Sequence, residues 1–256
     1  MAHSLEFLSP SKYCDVEHSD IQECARQLTR SCRSDIEKAV VLFEWVRDEV
    51  EYRLGLYRHT ASETLALRWG SCSNKANLLV ALLRALDVPA GFHLLEVKTR
   101  EYFGPLAPPA FAPFVSHRSL HVLCAAHLDG RWVRCDPTDD SRLSESTRHL
   151  SPQSRKVEFD GRSDALLNLM PEHILTNDGA LLPHIDHVLE KERRLSPIFL
   201  RLVQIYMGFL RQRGKDFSSV ASVQESFFRL LEKEFPEEHA LLREVASAES
   251  ARQKTG

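Results

Sequence analysis

From Leu78 to Leu86 the chain reads Leu-Leu-Val-Ala-Leu-Leu-Arg-Ala-Leu, with apolar side chains all round the helical wheel. A helix without a polar face is stable in water only when other elements enclose it. The rest of the chain must therefore wrap this segment, and Asp87-Val88-Pro89 ends it, because proline removes a hydrogen bond and pushes its predecessor out of the helical region. Gly70-Ser71-Cys72 lies just ahead of it. That spacing predicts Cys72 at the N-terminus of the buried helix, where unpaired N–H groups and the macrodipole favour a thiolate. Taken alone, a cysteine reads more readily as an inert buried thiol, so Cys72 needs partners to count as a nucleophile.

The partners come from a predicted hairpin. Residues 119–128 alternate, Asp129-Gly130 is a two-residue turn signal, and residues 131–136 alternate again. With that turn Leu128 faces Arg131 and Cys124 faces Cys135, and pairing carried outward sets Leu123 beside Asp136 and His121 beside Thr138. One face then holds Leu120, Val122, Cys124, Val133 and Cys135 and reads as core; the other holds His121, Leu123, His127, Trp132, Arg134 and Asp136. His121 and Asp136 become diagonal neighbours about 7–8 Å apart by backbone, close enough for the carboxylate to orient the imidazole. A slip of one residue would part them. Separately, His121 reads as a satisfied core histidine and Asp136 as a turn carboxylate before Pro137. Together with Cys72 they offer a nucleophile, a base and an orienter, with helix N-terminal amides as oxyanion donors.

Elsewhere, Ser19-Asp-Ile-Gln22 and Ser34-Asp-Ile-Glu37 read as capping boxes opening two helices. In the second, Ala39, Phe43, Val46 and Val50 form an apolar stripe, which directs Glu44, Arg47 and Asp48 to water. A strand is predicted over Gly91–Val97. Residues 98–119 then form a loop in which Pro105, Pro108, Pro109 and Pro113 alternate with Tyr102, Phe103, Phe111 and Phe114, either a substrate wall or a surface insertion. Ser196-Pro197 opens a helix with two apolar stripes, Ile198/Leu202/Ile205/Phe209 and Phe199/Val203/Tyr206/Leu210. Core packing is the default cover for so broad a face, with a substrate lid or a dimer surface as alternatives. The expected division is a catalytic core over 1–165 and a helical extension, a possible lid, over 166–256.

The 256 residues balance 33 Lys+Arg against 36 Asp+Glu, a formal charge of −3, so nothing points to nucleic acid. No apolar run is long enough for a membrane span, and the start lacks a basic and apolar leader, which gives a cytoplasmic expectation with reduced cysteines. A Cys124–Cys135 bridge is geometrically conceivable in the predicted register. His173, His184 and His187 lack zinc spacing and read as surface histidines, so no metal or cofactor is expected. Lys191, Arg193 and Arg194 read as a solvated basic face, with contact to an acidic carrier protein as the alternative.

The motif Gly70-Ser-Cys-Ser-Asn-Lys-Ala76, followed by the apolar helix and Val88-Pro89-Ala90, resembles the cysteine motif of the transglutaminase-like superfamily. His121, and Asp129-Gly-Arg-Trp132 with Asp136-Pro-Thr138, resemble its second and third motifs, and Phe43–Tyr52 resembles the segment upstream of the cysteine. The resemblance runs over about residues 15–164. It implies a papain-like α+β fold, a nucleophile-bearing central helix on an antiparallel sheet, and a Cys72–His121–Asp136 triad. Animal transglutaminases place an oxyanion-stabilising tryptophan upstream of the cysteine; Trp45, Tyr52 and Trp69 are the candidates for that place here. Their calcium-binding segments have no counterpart, and the helical extension resembles bacterial members.

The resemblance therefore implies an enzyme that forms an S-acyl intermediate on Cys72. Amide hydrolysis, amide formation and Dieckmann cyclisation of polyketide–peptide thioesters to tetramates or pyridones all occur in the superfamily. The proline–aromatic loop and the doubly apolar helix favour the last, since they would shelter a lipophilic chain delivered as an acyl or peptidyl thioester, on a carrier protein in that version. Trp69, Tyr52, Phe111, Phe114 and Trp132 are the candidate substrate contacts. The alternatives are a cysteine peptidase or amidase, an amide-forming acyltransferase, and a non-catalytic module that binds a peptide or acyl chain.

Overall fold

The computed structural model describes residues 3–151, 155–167, 171–176, 179–191 and 195–253. A helical layer comes first: α1 (His3–Glu6), α2 (Ser19–Thr29) and α3 (Asp35–Glu49). The cap of α3 forms as its sequence requires, Ser34 Oγ accepting the Glu37 N–H at 3.2 Å. That of α2 does not. Ser19 is already helical and His18 takes the cap, its Nδ1 accepting the Asp20 N–H at 3.2 Å, while the Gln22 side chain turns to the Val16 carbonyl. Arg47, expected in water, is 1% exposed. Residues 157–158 lie over it: its guanidinium donates to the Val157 carbonyl at 2.7 Å and grips Asp48 through two bonds of 2.8 and 2.7 Å, which satisfy the buried charge.

Next, β1 (Glu51–Tyr52) and β2 (Trp69–Gly70) pair in parallel around α4 (Ala61–Leu67), setting Tyr52 opposite Gly70. The helix α5 (Cys72–Arg84) follows, and Ser73 to Arg84 are all buried in it. Its polar side chains are satisfied by main-chain carbonyls of the elements around it. Lys75 Nζ donates to Arg47 and Val50 at 3.1 and 2.5 Å, closing the C-terminal end of α3. Asn77 donates to Tyr13 at 2.7 Å, and Arg84 to Ala90 at 3.0 and 2.8 Å.

The chain then lays down β3 (Ala90–Lys98), α6 (Thr99–Phe103), a 3-10 turn over Pro109–Phe114, β4 (Arg118–Leu128), β5 (Arg131–Cys135), α7 (Ser141–Thr147), β6 (Ile174–Thr176) and α8 (Asp186–Leu189). The sheet order is β5-β4-β3-β6, with every neighbouring pair antiparallel. The hairpin has the predicted register: Leu128 opposes Arg131 and Cys124 opposes Cys135. Asp129 and Gly130 both take positive φ, 47° and 80°, as a type I′ turn demands. Cys124 and Cys135 remain free thiols. The segment 98–119, expected as loop throughout, is partly helical.

Last come α9 (Pro197–Arg213), α10 (Val220–Glu234) and α11 (Pro236–Gln253). Ser196 caps α9; Phe199, Val203, Tyr206 and Leu210 are buried together with Leu202, Met207 and Phe209, whereas Ile198 is exposed. Among the described residues two large apolar clusters result, beside a small one of Leu95, Val97 and Leu123. One surrounds α5, drawing on Phe43, Val46, Val122, Cys124, Val133 and Cys135, and reaches as far along the chain as Ile185, Val188 and Leu189. The other gathers Phe199, Leu202, Tyr206, Phe227, Leu231 and Leu242 from the last helices around Tyr52 and Phe111. The architecture is α+β, a helix-backed antiparallel sheet with a helical C-terminal region. Among the described residues no helix is long and apolar enough to cross a membrane. Arg193 and Arg194 of the basic run lie outside the described residues.

Candidate active site

Cys72 is the first residue of α5 and stays partly exposed while the rest of the helix is enclosed. Gly70 makes this start possible: a Cβ there would lie 2.6 Å from that of Asn74. Asn74 in turn accepts the N–H and hydroxyl of Ser71 at 3.1 and 2.8 Å, and so fixes the turn that presents the thiol.

His121 on β4 and Asp136, just past the end of β5, are each 1% exposed. The imidazole Nε2 meets Asp136 Oδ2 at 2.6 Å, and Oδ1 accepts the Thr138 N–H at 3.1 Å. With Nε2 engaged by the carboxylate, His121 also lies close enough to the Cys72 thiol to act on its charge. The electrostatics follow from these contacts. Burial opposes charge on the Cys72 thiol, yet the His121 hydrogen bond and charge and the Val122 N–H outweigh it and pull the thiol below its ordinary range. Burial likewise opposes the His121 imidazolium, but Asp136 overrides it and holds the proton well above the usual histidine range. For Asp136 burial is again outweighed, by His121 and Thr138, and the carboxyl ionises below its normal value. The favoured state is a thiolate–imidazolium–carboxylate line.

Cys72, His121 and Asp136 do not line a cavity of about 300 Å³ whose wall includes Tyr52 and Asp139, the two lining residues that feel the charge of Asp136. Tyr52 and Phe111, two of the predicted substrate contacts, line it with Leu106, Leu143, Phe199 and Val203. Phe114 stands behind that wall, stacked on Phe199 at 5.1 Å. Trp69 and Trp132 are not in its lining. Trp69 packs with Arg53, Tyr57 and His59, and Trp132 lies near the hairpin tip against Phe7 and His127. Of the three aromatic oxyanion candidates, Trp45 is covered by Arg68. Tyr52 is the one whose hydroxyl is pushed well up, by burial first and then by the charges of Cys72, Asp139 and Asp136.

Asp139 was not among the residues picked from the sequence. It lines the cavity, and burial, together with the charges of Asp136 and Asp140, raises its carboxyl to about 6. Three carboxylates within five residues, Asp136, Asp139 and Asp140, were the available signal. Asp140 has its own cation: Arg211 of α9 holds it at 2.6 Å and also donates to the Tyr52 carbonyl at 2.7 Å. Among the described residues no group of three or more His, Cys, Asp or Glu has the geometry to hold a metal ion.

Residues 22–137 match the family model described as the transglutaminase-like superfamily. Among solved structures, a Cytophaga hutchinsonii protein proposed to be a cysteine protease aligns at 25% identity with a TM-score of 0.43, covering 54% of this chain and 43% of that one. A Parabacteroides distasonis protein proposed to be a protease aligns at 12% identity and a TM-score of 0.37, covering 57% of this chain and 27% of the other. The chain thus spans less than half the length of either. No curated protein matches. The family match supports a cysteine-dependent enzyme in general terms. Over residues 22–137, the segment that carries Cys72, His121 and Asp136, the chain is similar to the transglutaminase-like superfamily.

Proposed function

We propose that this protein is a cysteine-dependent acyl-transfer enzyme in which Cys72 is the nucleophile, His121 the proton carrier and Asp136 the group that holds His121. The observation that carries the reading is the buried 2.6 Å His121–Asp136 contact, together with a thiol at the N-terminus of the enclosed helix α5. The Cys72 thiolate attacks the carbonyl carbon of an acyl or peptidyl thioester. The negative oxygen of the tetrahedral intermediate faces the first amides of α5, which have no partner within the helix. The C–S bond to the leaving thiol breaks, that sulfur takes the His121 proton, and an S-acyl enzyme remains.

Neutral His121 is then the base for the acceptor. In the version we favour, it removes a proton from an acidic carbon of the same acyl chain, and the carbanion attacks the thioester carbonyl. Cys72 thiolate leaves with its charge, restoring the ion pair and releasing a ring by Dieckmann closure. The apolar cavity whose wall includes Tyr52 and Asp139 supports a route that keeps water from the intermediate. With water as acceptor the same groups make a hydrolase, and with an amine they make an amide.

The test is product and intact-protein mass after mixing wild type and Cys72→Ala with a β-ketoacyl-aminoacyl thioester and, separately, a peptide amide. A product lighter than the thioester by its thiol, formed only by wild type, is the expected outcome. Free acid would replace cyclisation by hydrolysis, and no adduct or turnover with either substrate would overturn acyl transfer.

A further inference from the structure

The cavity is unusual in what it leaves undone. Protein interiors pack to near-crystalline density, yet about 300 Å³ stays open between the loop that carries Pro108 and Phe111, the helix α7 and the inner face of α9. That volume is at the lower end of small-molecule sites. Ser144 on α7 lines it, is 2% exposed, and its Oγ finds no hydrogen-bond partner among the described residues. Buried hydroxyls are almost always satisfied. The other hydroxyls of this helix obey the rule, Ser146 and Thr147 both donating to the Leu143 carbonyl at 2.9 and 2.8 Å. The end of the cavity nearest the triad is marked by Tyr52 and Asp139. The charged residues of the cavity lining are Asp139 and Arg100.

We propose that this cavity holds the acyl chain of the substrate, a largely apolar chain interrupted by one hydrogen-bonding group such as an amide that Ser144 engages, with the chain's thioester carbonyl at Cys72. The inference rests on the acyl-transfer reading above and adds the substrate class to it. Apolar carbons replace a dry void, and the amide supplies the partner that Ser144 lacks. Chain length and a mid-chain amide are then read separately, the first along α9 and the second at α7.

The experiment measures the second-order rate of Cys72 acylation, by intact mass on the full chain, with N-acetylcysteamine thioesters of acetyl, decanoyl and octanoyl-glycyl groups. Wild type should take decanoyl at least about tenfold faster than acetyl, since each buried methylene adds to binding, and octanoyl-glycyl faster still. Val203→Trp, which fills the cavity from α9, should bring the decanoyl-to-acetyl ratio close to one. Ser144→Ala should bring octanoyl-glycyl down to the decanoyl rate and leave the decanoyl-to-acetyl ratio in place. Circular dichroism checks that each variant is folded, and the two variants are read independently of one another. Equal acetyl and decanoyl rates in wild type, or an unchanged ratio in folded Val203→Trp, would overturn the acyl-chain site while leaving Cys72 chemistry standing. An octanoyl-glycyl advantage that survives in Ser144→Ala would remove the amide from the substrate class. Failure of every thioester to acylate Cys72 would overturn the acyl-transfer reading and this inference with it.

Discussion

The state of Cys72 is governed through His121 by Asp136, and the sign of that control is open to measurement. Asparagine at 136 keeps the shape but loses the charge that holds the imidazolium against burial. His121 then loses its proton at lower pH, and the thiol regains its own. We expect Cys72 of Asp136→Asn to react with iodoacetamide more slowly than that of wild type at about pH 6, by about tenfold for each pKa unit that its thiol regains. The variant should recover as the pH rises past the ordinary thiol range. Asp139 works in the opposite direction. Its carboxyl is raised from 3.8 to about 6 in the folded protein, so between those values the unfolded chain ionises first and stability falls as pH rises. Asp139→Asn should stabilise the protein at pH 7 by about 1–3 kcal/mol and have little effect near pH 3.5, as thermal melts at both values would reveal. Cys72, His121 and Asp136 were legible because each sits at a position that local rules fix: a helix start and two places in a hairpin register. Asp139 was not, since its character comes from a cavity assembled by residues far along the chain.

The hairpin could be read from alternation and one turn dipeptide, and α5 from its lack of a polar face. Both are local patterns with long-range consequences. The cap of α2 was misread because two neighbours, His18 and Ser19, can each accept an amide, and the histidine wins. Arg47 was misread because what covers it lies more than a hundred residues away in sequence. The strand β6 is three residues long and exists through its pairing with β3, which no local pattern announces. Two glycines, one under Cys72 and one at the hairpin tip, differ in a testable way. Gly70→Ala forces a Cβ against Asn74 and loosens the turn under Cys72, so urea unfolding should lose about 1–3 kcal/mol and thiol reactivity should fall with it. Gly130→Ala meets no atom within 4 Å and suffers only its positive φ, for about 1 kcal/mol, with Cys72 reactivity unchanged.

Polar contacts tie the last helices to the part of the chain that carries the candidate site. Arg211 reaches from α9 to Asp140, which is also the cap of α7, and to the Tyr52 carbonyl beside the candidate site. Both side chains of this pair are nearly enclosed, 8% and 4% exposed. Arg211→Met would strand a buried carboxylate and should cost about 3–5 kcal/mol by chemical denaturation, while Arg211→Met with Asp140→Asn should recover much of it. A smaller recovery would mean that the Tyr52 contact matters more than the charge. The placement of the cysteines has a practical consequence. Burial pushes the Cys14 thiol up to about 12 and raises those of Cys24 and Cys32; Cys135 is raised by its contact with Cys124 and by burial, and Cys124 itself is walled off. Cys72 is pulled the other way. An alkylating dye used below the ordinary thiol range therefore acts as a census of native molecules, staining intact chains at one sulfur ahead of denatured copies.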